Sequence, residues 1–97
     1  MEAKPIINDK TVTDALIVQR VVWLLPAKTE ERPHGLKYRL YCGTTEGVCI
    51  VRYDNEAGKG DHRHYGEREE IYTFTTLAAL IQDFHADIAR LTGEPKP

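Results

Sequence analysis

A chain of 97 residues has room for one modest hydrophobic core and no second domain, so residues 1–97 are read as a single domain. Its 41% apolar and 29% charged composition excludes a disordered chain, and 13 basic against 15 acidic side chains leave a net charge of −2, so any contact with nucleic-acid phosphate must be local rather than a bulk effect. No apolar run approaches the ~20 residues that span a bilayer, the opening MEAKPIINDK lacks the apolar core of a secretory signal, and two cysteines suit a reducing compartment, which together predict a cytoplasmic protein.

Along the chain, Pro5-Ile6-Ile7 reads as a short edge strand turned by Asn8-Asp9-Lys10. Residues 15–25, ALIVQRVVWLL, are too β-branched for a comfortable helix and stop at Pro26; a long strand is predicted, with Trp23 in the core. Residues 28–35 form a charged loop that leaves His34 exposed. Residues 36–43 alternate Leu36, Tyr38, Leu40 and Cys42 against Lys37, Arg39 and Tyr41, and after a turn residues 48–54 return as a second strand. Two registers are open for this hairpin. A three-residue loop with Gly47 as a bulge shifts the pairing by one, whereas a symmetric loop sets Cys42 opposite Cys49 and Arg39 opposite Arg52. The apolar pattern favours the symmetric loop, at the cost of two like charges facing each other.

Residues 71–74 read as a last strand, and Thr75 or Thr76 can cap a helix over residues 76–92. Leu77, Leu80, Ile81, Phe84, Ile88 and Leu91 form its apolar stripe, Gly93 ends it, and Pro95 prevents its resumption. His85 falls at the stripe's boundary. The predicted fold is α+β: an antiparallel β-meander of about four strands with one C-terminal helix packed on one face. With a single helix, the other face is left uncovered.

The chemistry-bearing residues crowd into residues 51–74, VRYDNEAGKGDHRHYGEREEIYTF. In extended conformation His62 and His64 point to one side, with Asp61 and Arg63 on the other. Two imidazoles suit proton transfer. One removes a proton from the 2′-hydroxyl of RNA and the other protonates the leaving oxygen, each role worth ~10²- to 10⁴-fold. Lys59, Arg63 or the Arg39 and Arg52 pair would neutralise the phosphorane, and Tyr41 or Tyr65 would stack under a base. The nucleophile then belongs to the substrate, and no cofactor is expected. A second reading makes His62, His64 and Asp54 or Asp61 ligands of Zn²⁺ or a similar ion, which gives a metal-dependent nuclease. Against both stands a solvated loop in which the histidines pair with Glu67, Glu69 and Glu70, or a binding module without catalysis. Asp54, Asn55, Gly58, Gly60 and Asp61 read as residues that shape the loop. Gly58-Lys59-Gly60 lacks the remainder of a phosphate-binding loop, so nucleoside triphosphate binding is rejected.

Taken together, HGLKYRLYCG, then YDNE as Tyr53-Asp54-Asn55-Glu56 with GDHRH as Gly60-Asp61-His62-Arg63-His64, then LAALIQDFHADI, resemble the TumE-type toxin family over about residues 15–91. The resemblance implies a bacterial growth inhibitor held silent by a cognate antitoxin, usually a helix-turn-helix protein encoded beside it. It brings no established mechanism, and it leaves a homodimer open. The endoribonuclease reading rests on the residues themselves.

Overall fold

The computed structural model describes residues 2–30, 32–56 and 58–93. Six antiparallel strands follow one another across a single sheet: β1 (Lys4–Val12), β2 (Leu16–Leu24), β3 (Leu36–Thr44), β4 (Cys49–Asp54), β5 (His62–Tyr65) and β6 (Arg68–Ile71), followed by helix α1 (Leu77–Thr92). The fold is the expected α+β meander with one C-terminal helix, but with six strands rather than about four. The two additions have separate causes. Asn8-Asp9-Lys10 does not turn the chain; it continues β1 for nine residues, and Asp9 is bonded to Arg20 across the ladder. The acid and histidine run that reads as a loop folds as a short hairpin, β5 and β6, turned at Gly66. The strand expected at residues 71–74 therefore ends at Ile71, and Tyr72 to Phe74 lead irregularly into the helix.

The helix ends are made by local chemistry. Thr76 adopts an extended N-cap conformation and its Oγ1 accepts from the Ala79 N–H at 3.0 Å. Gly93 is left-handed at φ 72°, donating its N–H to the Ala89 carbonyl at 2.9 Å; Pro95 lies outside the described residues. Leu80, Phe84 and Ile88 are at most 1% exposed against Val22, Leu40, Val51 and Tyr53 of the sheet, and each such burial stabilises the fold by about 1.5 to 3 kcal/mol.

The hairpin register differs from the favoured one. Thr44 N–H donates to the Val48 carbonyl at 2.8 Å, Gly47 N–H donates to the Thr44 carbonyl at 3.0 Å, and Gly47 has φ 98°, so the loop is the three-residue one with a glycine bulge. A second irregularity follows at once: Gly43 pairs with Cys49 but Cys42 pairs with Val51. Two single slips add to two, and because side chains alternate with period two, residues 51–54 keep their faces while changing their partners; Cys49, between the slips, is shifted by one and changes face. Cys42 is thus opposite Val51, not Cys49, and the two cysteines point to opposite faces. Arg39 is opposite Asp54, and Arg52 is opposite Tyr41, so the predicted repulsion between arginines does not arise.

Only one face of this sheet carries the helix. Tyr38, Leu40, Cys42, Val51 and Tyr53 lie beneath α1, whereas Gln19, Val21, Trp23, Lys37, Arg39, Tyr41, Arg52, Asp54, His62 and His64 share the other face through the register. Trp23 is therefore half-buried on the uncovered face rather than in the core. Ladder partners share a face, and Trp23 is the partner of Lys37.

Candidate functional site

β5 sorts its side chains by alternation. His62 and His64 stand on the uncovered face, their ring centroids 5.0 Å apart and their planes inclined at 71°, while Arg63 and Tyr65 stand beneath the helix. Pairing with β4 supplies each histidine with a charged neighbour: Asp54 opposite His62, and Arg52 opposite His64. Asp54 Oδ1 lies 2.6 Å from His62 Nε2, Asp54 Oδ2 lies 3.0 Å from Arg52 Nε, and Arg52 Nη2 lies 3.0 Å from His64 Nε2. Glu69 of β6 closes the group 3.7 Å beyond His64 Nε2, and it reaches Lys59 Nζ at 3.8 Å.

The two histidines differ in burial and in bonding. His62 is 4% exposed, with Nδ1 2.9 Å from the Gly60 carbonyl and Nε2 2.6 Å from Asp54 Oδ1. His64 keeps its side chain 13% exposed. Its Nε2 accepts from the Arg52 guanidinium, which never gives up its proton, so the lone pair of a neutral ring is turned toward Arg52. Burial, reinforced by the Arg52 charge, holds His64 below the ordinary histidine value of 6.5. The central contacts are close but poorly aligned: Asp54 Oδ1 and Arg52 Nε are buried and form no aligned hydrogen bond, in spite of their ion-pair distances. A charge pair in that state gains attraction without the directional bonds that normally offset its desolvation.

Asp54, His62 and His64 can each turn one ligand atom to a common point, all within 4.8 Å of one another. A carbonyl on His62 Nδ1 is also the support that metal-ligating imidazoles receive. Arg52 works against this use. Its guanidinium sits on both His64 Nε2 and Asp54 Oδ2, so a cation could bind only after Arg52 had moved away. Asp61, the other carboxylate considered for a metal, is not in this group: it accepts from the Tyr38 hydroxyl at 2.7 Å and faces His34 Nε2 at 3.1 Å. His34 is thereby held against Phe74, ring centroids 4.0 Å apart, with only 11% of its side chain exposed, and is not the solvated loop residue expected.

The remaining residues singled out by sequence divide between the two faces. Arg39 and Tyr41 share the surface of His62 and His64, and Lys59 reaches its border through Glu69. Arg63 lies beneath the helix, bonded to Glu70 at 2.6 Å and to the Tyr53 hydroxyl at 3.1 Å, and Tyr65 donates to Asp87 at 2.8 Å. Neither faces the imidazoles. Asn55 ties strand ends together, its Nδ2 donating to the Leu36 carbonyl at 2.8 Å and its Oδ1 accepting from Tyr38 N–H at 3.0 Å. Gly58 and Gly60 take the left-handed backbone at φ 85° and 73°. Gly43 is needed for another reason: a Cβ there would fall 2.1 Å from the Tyr41 hydroxyl, so the missing side chain lets the tyrosine ring lie along the uncovered face.

Sequence reasoning missed Trp23 and Lys37 as surface neighbours of Arg39, and it placed Asp54 only as a loop shaper or one of two optional metal ligands. In β2 both alternating sets are largely apolar, and the one charged residue, Arg20, lies on the helix side against Asp9, so alternation could not assign a face to Trp23.

No curated protein and no solved structure gives a significant match. The family model described as Toxin TumE matches residues 2–92, a span that includes every strand, the helix and the His62/His64 cluster. Matched over nearly its whole length, the chain belongs to the TumE toxin family.

Proposed function

We propose that this toxin acts on RNA as a metal-independent endoribonuclease, with His64 as the group that exchanges the proton. The observation that carries this reading is the half-buried His64, whose acceptor nitrogen is turned to Arg52 on a sheet face open to a ligand. An incoming phosphate draws the Arg52 guanidinium onto its own oxygens and frees His64 Nε2. The neutral imidazole takes the 2′-hydroxyl proton, the 2′-oxygen attacks phosphorus, and the bond to the 5′-oxygen breaks, leaving a 2′,3′-cyclic phosphate. The same proton passes from His64 to the departing oxygen, so the enzyme is unchanged. Arg52, with Arg39 and Lys59 nearby, offsets the charge on the phosphorane. His62 is too enclosed to meet the leaving group; held by Asp54 and the Gly60 carbonyl, it positions the His64 ring from below. Arg63, expected to share in catalysis, acts from the helix side as an anchor for β5.

Membership in a toxin family implies an antitoxin partner, and a cognate helix-turn-helix protein is the form we propose for it. No helix among the described residues is long and apolar enough to cross a membrane.

The test is expression of wild type, His64→Ala and His62→Ala without the antitoxin, together with cleavage of total RNA by the purified proteins in EDTA. His64→Ala is expected to lose growth arrest and about 10²- to 10⁴-fold of cleavage. Arrest by His64→Ala equal to wild type would exclude the mechanism. The convergence of Asp54, His62 and His64 supports a second reading, a metal-dependent hydrolase. That reading predicts activity abolished by EDTA and restored by Zn²⁺ or Mn²⁺, and Arg52→Ala would then bind metal more tightly than wild type.

A further inference from the structure

Beside the histidines, the uncovered face holds a shallow pocket of about 230 Å³ lined by Gln19, Val21, Trp23, Lys37, Arg39 and Tyr41. Two of these offer aromatic surface, two are cations, one is an amide and none is acidic. Among the described residues neither Lys37 nor Arg39 takes part in an ion pair, and both are exposed. The pocket is joined to the reactive group by register: Gln19, Tyr41, Arg52, His64 and Glu69 form one continuous cross-strand row, and Val21, Arg39, Asp54 and His62 lie in the adjacent row. With neighbouring strands about 4.8 Å apart, the pocket's β2 and β3 walls lie roughly 10 to 15 Å from the imidazoles on β5.

We infer that this pocket is a nucleotide subsite that takes one unpaired base of a single-stranded RNA against Trp23, with the flanking phosphates on Lys37 and Arg39. The inference rests on the RNA reading given above and adds where the strand is gripped. Charge complementarity selects the occupant: an apolar slot flanked by unpaired cations suits a flat, uncharged base carried on an anionic backbone. Base pairing would enclose the base in a duplex and deny it the slot, so the substrate must be unpaired at this position. These cations, with Arg52, then lead the backbone diagonally across the sheet from Lys37 past Arg39 and Arg52 to His64.

Trp23 is the chain's sole tryptophan, so its fluorescence reports on the pocket alone. The probe is an unstructured oligoribonucleotide with 2′-O-methyl groups, which lacks the attacking hydroxyl and cannot be cleaved by the proposed route. Titration is expected to quench Trp23 saturably. With a labelled oligonucleotide followed by anisotropy, Trp23→Leu should bind about 5- to 150-fold more weakly, the range that one base–aromatic stack supplies, and Trp23→Phe should recover part of the loss. Lys37→Glu should weaken binding and lower its salt dependence. Thermal melts matching wild type show that each variant is folded, and the Trp23 titration of the unmodified chain stands without any variant. Oligonucleotide binding with unchanged Trp23 emission and an unimpaired Trp23→Leu would overturn the subsite while leaving the RNA reading intact. Absence of both binding and cleavage would remove the RNA reading and the subsite with it. Quenching by the antitoxin but not by the oligonucleotide would make this face a protein dock and overturn the inference.

Discussion

The two faces of the sheet are built from the same kinds of residue and finish differently. Beneath the helix, Arg63 spans the Tyr53, Tyr65 and Tyr72 rings at 5.2 to 5.8 Å and bonds Glu70, while the Tyr53 and Tyr65 hydroxyls both donate to Asp87. Asp87 also accepts from Arg90, and Tyr72 donates to Asp83 at 2.5 Å. Arg63, Glu70, Asp83, Asp87 and Arg90 there each have an aligned partner. On the uncovered face Arg52, Asp54, His62 and His64 are as close together, yet Asp54 Oδ1 and Arg52 Nε lack aligned bonds. A closed network stabilises the fold, whereas an unfinished one keeps polar atoms ready for a ligand.

Substitutions on the two faces are expected to separate stability from activity. The largest stability effect is expected from Phe84→Ala, which empties a fully buried site and should cost about 3 to 5 kcal/mol in denaturant unfolding. Asp87→Ala takes the acceptor from both the Tyr53 and the Tyr65 hydroxyl and should cost about 2 to 4 kcal/mol. By contrast His64→Ala should leave unfolding within about 1 kcal/mol of wild type while removing cleavage, since His64 stands outside the core beneath the helix. Equal destabilisation by His64→Ala and Asp87→Ala would erase the distinction between the faces.

The finest test is pH. His64 is held below 6.5, so the unfolded chain takes up a proton before the folded one does. Its share of stability is present above 6.5 and is lost as pH falls from there through the folded value. Activity that needs the neutral ring should accordingly persist below the pH at which an ordinary histidine charges. Arg52→Gln removes one of the causes that lower it and should move the acidic limb of the rate profile to higher pH. An unmoved limb would show that Arg52 does not set the protonation of His64.

Much of this was legible in the residues. The 3.6-residue stripe of α1, its threonine cap and its glycine stop lie within one contiguous segment, so local chemistry decides them. Alternation likewise assigned His62 and His64 to one side and Arg63 to the other, because side-chain direction in a strand depends only on parity. β5 and β6 escaped notice because four-residue strands of charged and histidine side chains, HRHY and REEI, carry no apolar period of their own. They become strands by pairing with β4 and with each other.

Sequence alone therefore determined the class of fold, the helix and the faces of residues 36–42 and 51–54 and of His62, Arg63 and His64. Tertiary structure decided the partners. Two single-residue slips near Gly47 and Ile50 moved Arg39 from Arg52 to Asp54, and pairing of β5 against β4 placed Asp54 beside His62 and Arg52 beside His64. Faces follow from a period of two written along the chain, whereas neighbours follow from register, which depends on bulges and on how distant strands share one core.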